Sequence, residues 1–234
     1  MTWDEAVAGW WQSEVSADPA YAEVVIPLAL DLIGPQPGEM WVDLGCGEGS
    51  VMRAVVGSGG SVVGCDSSAS LARLASVAAP TVMARLPDLS WLGPGAVAGA
   101  YAVLVLEHLP DLAPLWAGCA RAVRPGGALV AVLNHPVMTS PGSAPVFDPQ
   151  DGEILWRWGE YLNPGSTTER AGSGTVVFHH RPLGLLMEEA AEAGWALQRM
   201  VERPAGAVQS RRDPLLEGQR HVPRLLGLRW VRPA

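Results

Sequence analysis

The sequence contains no lysine; all 16 of its basic residues are arginine. Ile, Asn, Phe and Tyr are scarce beside 27 Gly, 20 Pro and abundant Ala, the mark of a GC-rich coding bias. A missing lysine therefore carries no argument, and arginine cannot take its place as a general base. There is no basic run, and 24 acidic residues against those 16 leave a formal net charge of -8. Without a positive surface, nucleic acid is not an expected partner. No apolar stretch reaches the roughly 20 residues of a membrane helix. The stretch from Met1 to Trp11 is acidic and amphipathic, unlike a signal peptide. The expectation is a cytoplasmic protein with no membrane partner, a monomer or homodimer. Cysteine is scarce as well. Cys46, Cys65 and Cys119 are odd in number and far apart, which predicts buried free thiols rather than a disulfide framework. Five histidines without HxH or HxxxH spacing leave no metal site either.

What is present suffices for one globular domain over residues 1–234, with 48% hydrophobic residues. Trp3, Ala6, Trp10 and Trp11, then Tyr21, Val25, Leu28 and Leu32 recur at helical spacing and predict two helices broken near Asp18-Pro19, an N-terminal lid over 1–33. Strands are expected at Met40 to Leu44, Ser61 to Cys65, Thr81 to Ala84, Ala100 to Leu106 and Ala128 to Leu133. Helices fall between them at Ser68 to Ala78 and Asp111 to Val123. That alternation means a parallel sheet covered on both faces. The period breaks over 134–174, a Pro-, Gly- and Ser-rich stretch holding Phe147, Trp156, Trp158 and Tyr161, which is expected to form a cap over the substrate site. Regular structure resumes with Thr175 to His179, a helix from Pro182 to Ala193, and strands at Trp195 to Val201 and Leu225 to Val231. The segment from Arg203 to Pro223 is expected to be a surface loop.

The chemistry is carried by Val42-Asp43-Leu44-Gly45-Cys46-Gly47-Glu48-Gly49. Three alternate glycines directly after a strand let a ligand approach the backbone. A nicotinamide or flavin fingerprint fits poorly, because Ser50 stands where the third glycine belongs. Asp43 argues further against a pyrophosphate and suits a ligand with an ammonium group, such as S-adenosylmethionine. Asp66 ends the next strand 19 residues after Gly47, where a carboxylate accepts hydrogen bonds from a ribose diol. Cys46 and Ser67, in the same two turns, are counted with the cofactor-binding residues.

With VDLGCGEGS at 42–50, VVGCDSS at 62–68, VLVLEHLPDL at 103–112 and RAVRPGGALV at 121–130, the chain resembles the class I S-adenosylmethionine-dependent methyltransferases. It is most similar to the small-molecule enzymes related to quinone biosynthesis. The resemblance implies an α/β, Rossmann-like, doubly wound sheet of seven strands, mostly parallel with one antiparallel. It also implies that Gly45 and Gly47 lie against the methionine part, Asp66 holds the ribose and the backbone near Val103 meets the amino group. The chain departs from the pattern at Arg85, where relatives have an Asp that contacts the adenine amino group, and at Val97-Ala98, where they have Phe-Asp. The adenine contact is then expected at Arg85 and the Leu86 backbone.

Residues just after strands four and five face the reactive methyl in such a sheet. His135 is the first candidate for general base and His108 the second. Trp11, Asn134, Trp158, His180 and Arg181 are the candidates for substrate contact, His179 and His180 pointing to opposite faces of their strand. The expected function is methyl transfer to O, N or C of a small-molecule acceptor. The alternatives are a methyltransferase-fold protein that binds cofactor or metabolite without transfer, and a nicotinamide oxidoreductase.

Overall fold

The structure, a computed structural model, describes residues 5–15, 18–212, 219 and 221–234. Trp3 lies outside the described residues. Helix α1 (Glu5–Trp10) runs into a π-helical turn, Trp11–Val15, and a second such turn, Tyr21–Val25, leads into α2 (Ile26–Ile33). The alternating core follows: β1 (Met40–Leu44), α3 (Ser50–Gly57), β2 (Ser61–Asp66), α4 (Ala69–Ala75), β3 (Thr81–Met83), β4 (Val97–Val103), α5 (Ala113–Ala122) and β5 (Val123–Asn134). After α6 (Pro136–Thr139) come two hairpins, β6 (Ala144–Phe147) with β7 (Ile154–Arg157) and β8 (Gly165–Ala171) with β9 (Gly174–His180). The chain closes with α7 (Leu183–Glu192), β10 (Ala196–Arg203), α8 (Ala207–Arg212) and β11 (Leu225–Val231). The segment from Arg203 to Pro223 thus contains a helical stretch, α8, in place of the expected plain loop.

Seven strands form one sheet in the order β10-β11-β5-β4-β1-β2-β3. β3, β2, β1, β4 and β5 are mutually parallel, and β11 lies antiparallel to both β5 and β10. Strand alternation sorts the core onto two faces. Trp41, Tyr101, Val130 and Val132 pack on one side against Leu28, Leu32 and Ile33 of α2 and Met52 and Val55 of α3. Val42, Leu44, Leu129, Ala131 and Trp230 pack on the other against Leu115, Trp116 and Cys119 of α5 and Leu186 of α7. All three cysteines are buried free thiols. No helix among the described residues is long and apolar enough to cross a membrane.

β4 starts at Val97 and stops at Val103, three residues earlier at each end than the apolar run suggested. At the start, Val97 pairs with Val123 of β5, and at Gly99, where a Cβ would run into the Trp41 ring, the strand crosses close above that indole. The end is set by Leu104, which adopts a left-handed φ of 56° and donates its N–H to Val132 O at 2.7 Å. A non-glycine residue held there is strained and typical of functional sites.

Candidate functional site

The site is built where β1 and β2 end. Gly45, Gly47 and Gly49 all have positive φ (75°, 55° and 83°), which only glycine adopts freely. A Cβ on Gly45 would sit 2.8 Å from Val105 Cγ2, and one on Gly49 would sit 2.9 Å from the Ala75 Cα. The turn is thus fitted to its neighbours. Gly47 N–H donates to Asp66 Oδ2 at 2.9 Å, and Ser68 N–H donates to Oδ1 at 2.8 Å. The carboxylate has about four lone-pair positions, so acceptor capacity remains for a ligand's donor beside these backbone bonds. Burial raises the pKa of Asp66, the backbone donors of Ser68, Gly47 and Ser67 work against that, and nearby Glu48 adds to the rise.

These elements border a cavity of about 420 Å³. Gly45, Gly47, Asp66 and Ser67 form one wall, Arg85 and Leu86 the end beyond β3, and Val103 and Leu104 the floor. Trp11 closes the side nearest the glycine turn. Its Nε1 donates to Glu48 Oε2 at 2.8 Å, and its ring packs edge-on to Tyr21 with centroids 6.0 Å apart. The N-terminal segment is thereby tied to the turn it covers.

The opposite wall comes from the turn after β4 and from β9: His108, Leu109, Pro110, Val177 and His179. Nδ1 of His108 lies 3.1 Å from Val177 O. A carbonyl only accepts, so Nδ1 carries the proton and Nε2 is the basic nitrogen. The ring packs on Phe178 at 4.8 Å. Arg181 clamps the same turn, its guanidinium donating to Leu109 O at 2.7 Å and Leu106 O at 3.4 Å. His179 borders the cavity beside them, its pKa lowered by burial, then by Arg181 and His108, which keeps it neutral near pH 7.

Several expected site residues lie elsewhere. His135 is buried, its Nδ1 accepting from Val137 N–H at 3.2 Å as the cap of α6 and its Nε2 donating to Glu202 Oε1 at 2.9 Å. With both nitrogens engaged outside the cavity, it is a structural residue. Burial lowers its pKa against the pull of Glu202. His180 is only 1% exposed, held by Tyr161 O at 2.7 Å and the Thr139 hydroxyl at 3.1 Å, so His179 and not His180 faces the cavity. Trp158 is exposed and packs on Tyr161, away from the cavity. Arg181 supports the wall from behind, and Asn134 is bonded through its amide and backbone N–H to Glu107 Oε1 at 3.0 and 3.1 Å. Asn134 and Leu104 border a smaller, neighbouring cavity of about 160 Å³. Asp43 and Cys46 lie beneath the turn. Asp43 shares the Trp41 face of β1, fully buried beside the Tyr101 hydroxyl, and burial raises its pKa well above the usual carboxylate range. Cys46 Sγ points to Gly47 O at 3.7 Å. Among the described residues no cluster of His, Cys, Asp and Glu is placed to hold a metal ion.

The assignment of His135 as structural carries a prediction. Replacing it by Ala removes a helix cap and a hydrogen bond, each worth about 1 kcal/mol, so unfolding free energy should fall by about 1–2 kcal/mol. A buried His whose pKa is depressed contributes stability that is full above its unfolded value near 6.5 and is lost as pH falls through the folded one. The His135→Ala variant should therefore also show a flatter acid limb in urea unfolding measured across pH. An unchanged midpoint and unchanged pH slope would contradict the assignment.

A family model described as a methyltransferase domain matches residues 42–131. The ubiquinone biosynthesis O-methyltransferase of Sodalis glossinidius is 32% identical over 144 residues, which cover 56% of this chain and 57% of that protein. The chain thus spans little more than half the length of the curated relatives it matches. A solved S-adenosylmethionine dependent methyltransferase from Mesorhizobium loti superposes with a TM-score of 0.77 at 27% identity, covering 92% of this chain and 99% of that one. The geranyl diphosphate C-methyltransferase of Streptomyces coelicolor, solved with S-adenosylhomocysteine, shares the fold with a TM-score of 0.62 at 15% identity, covering 88% of this chain and 77% of that one.

Proposed function

We propose that this chain, which belongs to the class I S-adenosylmethionine-dependent methyltransferases, moves the methyl group of that cofactor to an oxygen, nitrogen or carbon of a small acceptor. The observation that carries the reading is a cavity whose one wall is a glycine turn with a half-buried carboxylate and whose other wall bears two histidines. The glycine turn leaves backbone open where side chains would block a ligand, and the Asp66 carboxylate retains acceptor capacity for a diol, so the residues present fit the cofactor.

Bound S-adenosylmethionine supplies an electrophilic methyl on a sulfonium. The protein's part is alignment and exclusion of water, which together lower such a barrier by up to roughly 7–11 kcal/mol. Gly45, Gly47, Ser67 and Leu86 would shape the cofactor half, and Val103 and Leu104 form the floor. Nε2 of His108 receives the acceptor's proton, with Nδ1–H held on Val177 O so that the basic nitrogen stays in one orientation. His179, neutral near pH 7, adds no repelling charge beside it.

The N-terminal segment and the β8–β9 hairpin act as a cover. α1 packs Val7 against Ala171 and Val176 of the hairpin, which joins the two in one small apolar cluster. Hydrogen exchange at Trp10, Trp11 and Val176 to His180 should slow when S-adenosylhomocysteine and an acceptor are bound. Equal exchange in free and bound protein would make this cover ordinary packing. The function itself is tested by incubation with methyl-labelled cofactor and a panel of phenols, amines and carboxylates. Calorimetric binding of S-adenosylhomocysteine without label transfer to any of them would favour the reading of a binding protein.

A further inference from the structure

One short helical segment touches both walls of the cavity. Val7 of α1 packs on the β8–β9 hairpin against Ala171 and Val176, so closely that a Cβ on Gly174 would sit 3.0 Å from its Cγ2. Trp11 follows four residues later, about one helical turn along the chain. It reaches the other wall. A Cβ on Gly47 would sit 3.3 Å from the indole Nε1, and that Nε1–H donates to Glu48 Oε2 at 2.8 Å. The second oxygen of Glu48 accepts from the Ser50 hydroxyl at the start of α3, so the carboxylate ties the indole to the glycine turn and to the helix behind it. The hairpin end of this bridge bears on the acceptor side. Val177, next to Val176, supplies the carbonyl that holds Nδ1 of His108 at 3.1 Å.

We infer that Glu48 is a positioning residue: through Trp11 and Val7 it couples an occupied glycine turn to the wall that orients His108. A ligand lying on Gly45 and Gly47 also meets Trp11, which borders the same cavity. It makes both contacts only while the indole sits on Glu48, so occupancy favours the latched arrangement. Latched, α1 holds the hairpin through Val7, and the hairpin holds the His108 ring through Val177 O. By linkage, a firmly held hairpin favours ligand on the turn by the same factor. The proton acceptor is thereby fixed in place when the methyl donor is present.

The inference rests on the cofactor reading above, and the test separates the two. Hydrogen exchange of the full chain is followed at residues 45–49 and 174–180, with and without saturating S-adenosylhomocysteine, in wild type, Glu48→Gln, Glu48→Ala, Trp11→Phe and Val7→Ala. In wild type the ligand should slow both segments, 174–180 by at least about fivefold, the low end of coupling between sites. Glu48→Gln should keep this response, because its amide oxygen still accepts from the indole. Glu48→Ala and Trp11→Phe remove the hydrogen bond and should lose the response at 174–180 while keeping it at 45–49. Val7→Ala leaves the glycine turn and the hydrogen bond intact and should lose it at 174–180 as well. A response at 174–180 that survives in Trp11→Phe or Val7→Ala, that is lost in Glu48→Gln, or that is missing from wild type although 45–49 is protected, overturns the inference and leaves the cofactor reading standing. If the ligand protects neither segment of wild type, both fall.

Discussion

Replacing Asp66 by Ala should weaken S-adenosylhomocysteine binding by about 1.5–3 kcal/mol, the value of hydrogen bonds to a charged group, or roughly 10- to 150-fold in Kd. The side chain does two things at once. It presents lone pairs to the cavity, and it fixes the glycine turn through Gly47 N–H. Asp66→Asn separates these, since an amide keeps one acceptor for the turn while losing the charge; most of the affinity should still be lost. The same site predicts the pH dependence. Ribose hydroxyls bind the ionised carboxylate, so affinity is full above the folded-state pKa and fades as pH falls through it. Burial raises that pKa, so the loss should begin at a higher pH than the normal Asp value near 3.9 would give. Calorimetry on the two variants and across pH checks both statements. Unchanged affinity in Asp66→Ala would remove the residue from the site.

Asp66 was legible in the sequence because its position follows from two short-range facts: a glycine turn after one strand, and an acid at the tip of the next. β1 and β11 were legible to the residue for a similar reason, as compact apolar runs bounded by breakers. Asp43 shows the limit of reading by adjacency. It stands two residues before Gly45, yet strand alternation puts it with Trp41, on the face that α2 and α3 cover. That period of two was available in the sequence and outweighs closeness along the chain.

His135 and His180 lie off the cavity for a different reason, whereas His108 borders it. Alternation said that only one of His179 and His180 faces the cavity, but the choice depends on how β9 pairs with β8 and docks on the turn after β4. The hairpin itself had a local signal, Ala171-Gly172-Ser173-Gly174, in which Gly172 has a φ of 61° at a tight turn between two alternating runs. Its docking had none. His135 was placed at a strand end facing the methyl, whereas its ring is captured by Glu202, 67 residues later on β10. A long-range pair between a strand end and an edge strand leaves no trace in local pattern. Glu107, in the turn after β4, is buried and holds Asn134, which keeps that amide off the cavity wall.

His108→Ala should lower the rate constant for methyl transfer by about 100-fold or more, since a positioned base contributes roughly 10²–10⁴, while the affinity for S-adenosylhomocysteine stays within about twofold. The separation of the two effects is what a base requires. The ring borders the cavity from the turn after β4, and its Nδ1–H is held by a backbone carbonyl that no side-chain substitution removes. His108→Gln offers a control of shape, with a side chain able to bond Val177 O but unable to accept a proton at neutral pH; it should be nearly as slow as the alanine variant. His135→Ala, by contrast, should keep its transfer rate at a temperature where it is folded, because its ring never reaches the cavity. His179→Ala should fall between them, removing a neutral wall residue and leaving Nε2 of His108 in place. Should His108→Ala keep its full rate at saturating acceptor while His179→Ala loses it, the proton goes to β9 rather than to the turn after β4. Full rate in both variants would mean an acceptor ionised before it binds, with both rings serving only to shape the wall.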